Sequence, residues 1–337
     1  MIVFVTVGSG LFGACIAWAL GLAAPFLTGP ALAVAFASLM GVKCHIPLYF
    51  RNTVFLIIGI VLGSGVTPDI LKEALTWPIS IVLTCVSVSL IMLCSVFLLE
   101  TYFHMDRATS ILASSPGHLS FILSLGSEIT ENISSVAVIQ TIRVFILTLA
   151  VPIILSFSAD GEPTVNQIMV SKISLTHFLF IMVPAVFGAF LMSYFRFPAA
   201  FLLSGLLLSS IGHGLGVTPG ELPRPISLFC FIVLGSLIGS RFSGVSFTLL
   251  RSLALSGFLI TLIGLIISII TSFLIHLLTG INFLYVIIAL APGGFETMVA
   301  MSAFVGADPA YVAIHHIARI FFLSALVPIA LARKLNR

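Results

Sequence analysis

The chain has 337 residues, 60% hydrophobic and 7% charged, with a net charge of +3 and a mean hydropathy of +1.27. An ordinary soluble domain is about 25% charged, and 14 basic with 11 acidic side chains cannot cover a globule of this size. Soluble, disordered and fibrous classes are excluded, no Lys/Arg cluster exists to bind nucleic acid, and the lipid bilayer is the implied solvent.

The N-terminal MIVFVTVGSG is apolar from the start and lacks the basic region of a cleaved signal peptide, so it reads as the first span. Apolar runs follow at about 2–23, 26–42, 52–67, 77–99, 108–126 and 134–157. A second set lies at about 174–195, 199–217, 225–240, 247–277, 283–303 and 309–332. Between the sixth and seventh lies a polar stretch with Asp160, Gly161, Glu162 and Pro163. The expected layout is one membrane region over 1–157, a linker over 158–173 and a second membrane region over 174–337. The run at 247–277 is long enough to tilt steeply or to include a surface turn. The five cysteines show no CxxC spacing and read as small buried hydrophobes.

Six runs and six suggest a duplication. One constant shift along the chain places Pro116-Gly117 on Pro292-Gly293, Arg143 on Arg319 and Pro152 on Pro328. It makes 10 of 38 positions identical between 116–153 and 292–329. Gly29/Gly205, Pro47/Pro223, Gly59/Gly235 and Gly63/Gly239 keep the same offset. The chain therefore reads as two tandem repeats, each close to half its length.

The fifth run of each repeat carries Pro-Gly in its middle. Proline removes a helical hydrogen bond and glycine loosens the backbone, so each run is expected to be a broken helix or a re-entrant segment. If both are re-entrant, the loop cations divide nine to three across the membrane; with twelve full spans they divide eight to four. The positive-inside rule thus favours 10–12 segments in inverted repeats, with both termini cytoplasmic.

Candidate site residues cluster at these breaks. The first is Ser115, Pro116, Gly117 and His118; the second is Pro292, Gly293, Gly294 and Glu296. Half-helix N-termini meeting in a membrane would favour an anionic group. Arg143 and Arg319 each lie well inside an apolar run, where a charge must be paired or wet. They would hold an anion or brace the broken helices. Gln140 and His316 precede them at the i, i+3 spacing and share their helix face. Glu296, His315 and His316 are the candidates for ion coupling. Asn132 and Asp308 read as matched helix N-caps. No His, Cys or carboxylate spacing suggests a metal site, and no cofactor is expected.

SSPGHLS, APGGFE, VAVIQTIR and GADPAYVAIHHIAR resemble the AbrB family of duplicated bacterial integral membrane proteins, and the resemblance covers essentially the whole chain. The family shares its name with an unrelated soluble DNA-binding regulator. In the family both loops read Pro-Gly-Gly followed closely by an acid. Here His118 replaces the second glycine of the first loop, whereas Glu296 is retained in the second, which makes the two sites unequal. Family labels name regulators of gene expression and ammonia monooxygenases. The residues support neither directly, and a regulatory effect would be indirect.

The expectation is an all-α polytopic protein of the bacterial cytoplasmic (inner) membrane. It would act not as an enzyme but as an ion-coupled secondary transporter of a small organic anion or metabolite. A homo-oligomer is compatible with this. The alternatives are an indirect effect on gene expression, or a membrane-bound monooxygenase-like enzyme as the labels suggest.

Overall fold

The computed structural model describes residues 1–65, 77–117, 119–127, 129–158, 175–215, 217, 220 and 222–332. His118, Glu128, the linker beyond Ser158 and the basic residues Lys72, Lys172, Arg333, Lys334 and Arg337 lie outside the described residues. The described residues form fourteen helices and no strand. These are α1 (Ile2–Ala19), α2 (Pro25–Leu39), α3 (Leu48–Gly63), α4 (Trp77–Thr101), α5 (Arg107–Ser114), α6 (Leu119–Gly126) and α7 (Ile133–Ser158). The rest are α8 (Leu175–Tyr194), α9 (Ala200–Gly214), α10 (Arg224–Ser240), α11 (Phe247–Thr279), α12 (Phe283–Leu290), α13 (Phe295–Val305) and α14 (Pro309–Ala332).

Ten apolar runs are single helices, and the two Pro-Gly runs are each split into a pair, α5–α6 and α12–α13. The repeat offset read from the sequence carries both bounds of α5 onto those of α12. Among the described residues, six helices are long and apolar enough to cross a membrane, over 2–19, 77–101, 133–154, 177–194, 247–279 and 309–332. Their outer faces carry large apolar side chains such as Phe4, Trp18, Leu93, Phe187 and Ile270. Such faces are stable only where the solvent is itself apolar. The chain is an all-α polytopic membrane protein.

The helices fall into two compact units, and each draws on both halves of the chain. The first comprises Met1–Leu75, Thr148–Gly244 and Phe295–Ala313. Here α2 packs on α1 and α10, while α9 packs on α3 and α8. The repeat offset carries α2 onto α9 and α3 onto α10, so it exchanges these two pairings. Contact is close: a Cβ on Gly59 would overlap the Leu202 carbonyl, and one on Gly205 the Leu56 carbonyl. Lipid supplies no hydrophobic drive between helices, so small residues and tight van der Waals contact must hold them together. Leu56 and Ile60 pack with Ile181, Ala185 and Ala189 in a small core, and Ser204 and Ser209 donate to the Ala185 and Ile60 carbonyls.

The second unit comprises Thr76–Leu147, Val245–Gly294 and Ile314–Arg337. α11 packs on α4 and α12, and α4 also packs on α5. Val88, Met92, Ile111, Leu112, Ile122, Val136, Leu323 and Val327 form its core. α11 is one unbroken helix of 33 residues, with no surface turn inside it. It ends where Gly280 adopts φ +72, a left-handed cap that glycine takes without strain. Gly257, Gly264, Ser268 and Ser272 lie on its buried side.

Candidate functional site

Each break leaves carbonyls at the C-terminal end of its first half-helix that no helical N–H can reach. An unsatisfied carbonyl in a lipid-like interior costs several kcal/mol. The second unit meets this need with the side chains of α7 and α14.

At the first break, Gln140 Nε2 donates to the Leu112 carbonyl at 2.8 Å and to the Ser115 carbonyl at 2.9 Å. Arg143 Nη1 donates to the same Ser115 oxygen at 3.3 Å, and its Nη2 donates to Gln140 Oε1 at 2.7 Å. Ser115 Oγ turns back to the Ile111 carbonyl at 2.7 Å. Pro116 is buried beside it, and Gly117 leads towards α6.

The second break repeats the pattern. His316 Nε2 meets the Ile288 carbonyl at 3.2 Å, and Arg319 Nη1 donates to the Ala291 carbonyl at 2.8 Å. Arg319 Nη2 donates to the Gly293 carbonyl at 3.1 Å and to His316 Nδ1 at 2.8 Å. The acceptor pairs Leu112/Ile288 and Ser115/Ala291 both keep the repeat offset, and so do the donor pairs Gln140/His316 and Arg143/Arg319. Ser268 of α11 adds a bond to the Leu290 carbonyl at 3.2 Å. Pro292 and Gly293 are buried and Gly294 is half-buried. Pro292 lies over Gly264, where an added Cβ would sit 2.9 Å from Pro292 Cγ.

Arg143 and Arg319 are only 3% and 2% exposed. Among the described residues neither is ion-paired with a carboxylate; their partners are carbonyls, Gln140 and His316. The Nε–H of each is buried with no hydrogen-bond partner. The two guanidinium charges are close enough for Arg143 to act on Arg319.

Among the described residues, the candidate acids and the other candidate histidine have partners of their own. His315 is fully buried, and its Nε2 lies 2.7 Å from Ser80 Oγ of α4. Glu296 is half-buried in the first turn of α13, and α13 belongs to the first unit. Its charge acts there on Arg241, just past the end of α10. Burial pushes the Arg241 guanidinium below its usual range, Glu296 pulls it back up, and Arg51 of α3 pushes it down again. Asp308 caps α14, accepting from Ala310 N at 2.6 Å and Tyr311 N at 3.3 Å. Asn132 stands just before α7, its carbonyl accepting from Ser135 N and Val136 N, and its Nδ2 donates to Asp106 Oδ2 at 3.3 Å. Asp106 and Asn282 cap α5 and α12.

Sequence reasoning brought Gln140, Arg143, His316 and Arg319 together at the breaks. It missed Ser80, Arg241, Gly264 and Ser268. Gly264, Ser268 and Ser272 recur at the i, i+4 spacing on one apolar helix, a small-residue stripe that signals close packing. Arg241 had no such signal, because a cation at the end of an apolar run reads as a loop residue.

A family model described as the transition state regulatory protein AbrB matches residues 26–334. This chain belongs to the AbrB family. An Escherichia coli (strain K12) member named "Putative regulator AbrB" is 27% identical over 322 residues, covering 94% of this chain and 91% of its own. A Bacillus subtilis (strain 168) relative, uncharacterized protein YhjN, is 27% identical over 291 residues. That match covers 81% of this chain and 75% of the relative. The AbrB match spans both helix breaks and both buried arginines.

Proposed function

We propose that this AbrB-family chain is a secondary transporter of a small organic anion, coupled to an ion gradient across the bacterial cytoplasmic membrane. The observation that carries the reading is the pair of buried guanidinium groups without a carboxylate partner among the described residues. A helix C-terminus carries about half a negative charge. The ends of α5 and α12 therefore offset at most about one of the two positive charges. The remaining charge, and the unpartnered Nε–H on each arginine, suit a carboxylate, the natural partner of a guanidinium fork. The arginines also occupy the negative helix ends where a bound cation would otherwise sit.

In this reading the protein is not an enzyme. It is two copies of one unit in inverted orientation, with both termini cytoplasmic. The matched element bounds and the exchanged helix pairings support the duplication. A regulator's label fits a protein that changes gene expression by setting the level of a metabolite.

The test is thermal unfolding of the detergent-purified chain against acetate, lactate, succinate and citrate. Ligand binding to the folded state raises apparent stability by mass action, about 2.7 kcal/mol at a hundredfold excess over Kd. At least one carboxylate is expected to stabilise the wild type. Arg319→Ala should lose the effect and Arg319→Lys should weaken it, because an ammonium lacks the planar fork. Full stabilisation of a folded Arg319→Ala protein, or none of the wild type, overturns the reading.

A further inference from the structure

The two breaks are held by the same geometry but different chemistry. Gln140 accepts from Arg143 on Oε1 and donates to a carbonyl from Nε2. His316 occupies the matched position with a nitrogen in each role. A guanidinium only donates, so His316 Nδ1, at 2.8 Å from Arg319 Nη2, must be the acceptor and carry no proton. A carbonyl only accepts, so Nε2 holds the single ring proton and donates to Ile288. His316 is therefore neutral here and does what a glutamine does. What histidine adds is a lone pair that can take a proton.

Two donors cannot share the bond between Nδ1 and Arg319 Nη2. A proton on Nδ1 would force Arg319 away and place an imidazolium beside a guanidinium. Conversely, when Arg319 Nη2 turns to an anion, the Nδ1 lone pair is released. Among the described residues, the other charged or titratable groups around this pair include Arg143 of α7, which acts on Arg319, and His315, whose ring turns to Ser80 of α4. Ile288 of α12 contributes only its carbonyl.

We propose that His316 carries the coupling proton of a proton–anion symport, taking one proton on Nδ1 as Arg319 shifts its Nη2–H from that nitrogen to a carboxylate oxygen of the substrate. This rests on the anion-transport reading above. The step needs only a proton from solvent and the substrate anion. Gln140 cannot take a proton, so the first break stays braced at every pH and the count is one proton per anion. The linkage is reciprocal: the anion favours protonation of His316, and the proton favours anion binding.

The experiment uses the detergent-purified full chain and whichever of acetate, lactate, succinate or citrate stabilises it. Proton uptake on binding is read with a pH dye in weak buffer, and affinity is read as a function of pH. Because binding takes up a proton, affinity should fall about tenfold per pH unit as pH rises, over the range where free His316 is neutral. Uptake should be one proton per anion bound. His316→Gln, which copies the first break, should bind the same anion with no proton uptake and a flat pH profile. Proton uptake that persists in a binding-competent His316→Gln protein, or wild-type binding with no uptake, overturns the proton role and leaves anion transport standing. No binding of any of the four by the wild type removes both.

Discussion

Gln140 and Arg143 show how a buried charge becomes tolerable inside a membrane protein. Their donors close the carbonyls of Leu112 and Ser115. Gln140→Leu removes both Nε2 bonds and the acceptor for Arg143 Nη2 while keeping much of the volume. Leaving a buried polar group unpaired costs about 1–3 kcal/mol, so Gln140→Leu should lower thermal stability in detergent by at least that much. An unchanged unfolding curve would mean that the break does not depend on these bonds. The sequence exposed the donors, because Arg and Gln are conspicuous in an apolar run and the i, i+3 spacing puts them on one face. It was silent on the acceptors. Every residue has a carbonyl, and only the helix breaks single out those of Leu112, Ser115, Ile288, Ala291 and Gly293.

At the scale of elements, the Pro-Gly pairs made both breaks legible, and α5–α6 and α12–α13 divide where proline and glycine stand. The packing that supports a break was not legible. Gly264 of α11 lies under Pro292, where a Cβ would come within 2.9 Å of the proline ring. Gly264→Leu should therefore displace Pro292, misalign the Ala291 and Gly293 carbonyls with Arg319, and destabilise the chain by about 1–3 kcal/mol, as overpacking does. If Gly264→Leu keeps both wild-type stability and anion response, the α11 contact is not what sets the break. Glu296 was equally hidden: its place after Pro-Gly-Gly marked it as a coupling candidate, but its relation to Arg241 and Arg51 depends on the packing of α13 with α3.

For the whole molecule, the apolar runs revealed an all-α membrane chain but not the grouping of its helices. The first three helices of each half gather in one unit, and the breaks with their bracing helices fill most of the other. Long-range packing of this kind leaves no mark on local hydropathy. The outward apolar faces of these helices are open to a direct test. Cys15 of α1 and Cys94 of α4 are exposed, whereas Cys44 and Cys230 are buried. In variants retaining only Cys15 or only Cys94, a charged maleimide added to intact or opened vesicles should leave the thiol unlabelled. After SDS it should label fully. Labelling before SDS would mean that these faces meet water rather than lipid.

The length of α11 carries a consequence of its own. At 33 residues it spans about 50 Å, whereas the hydrocarbon of a bilayer is about 30 Å thick. The helix must lean or push its ends through the headgroups, and how far it leans follows the thickness of the surrounding lipid. Since Gly264 and Ser268 of this helix touch Pro292 and the Leu290 carbonyl, acyl-chain length becomes a mechanical input to the second break.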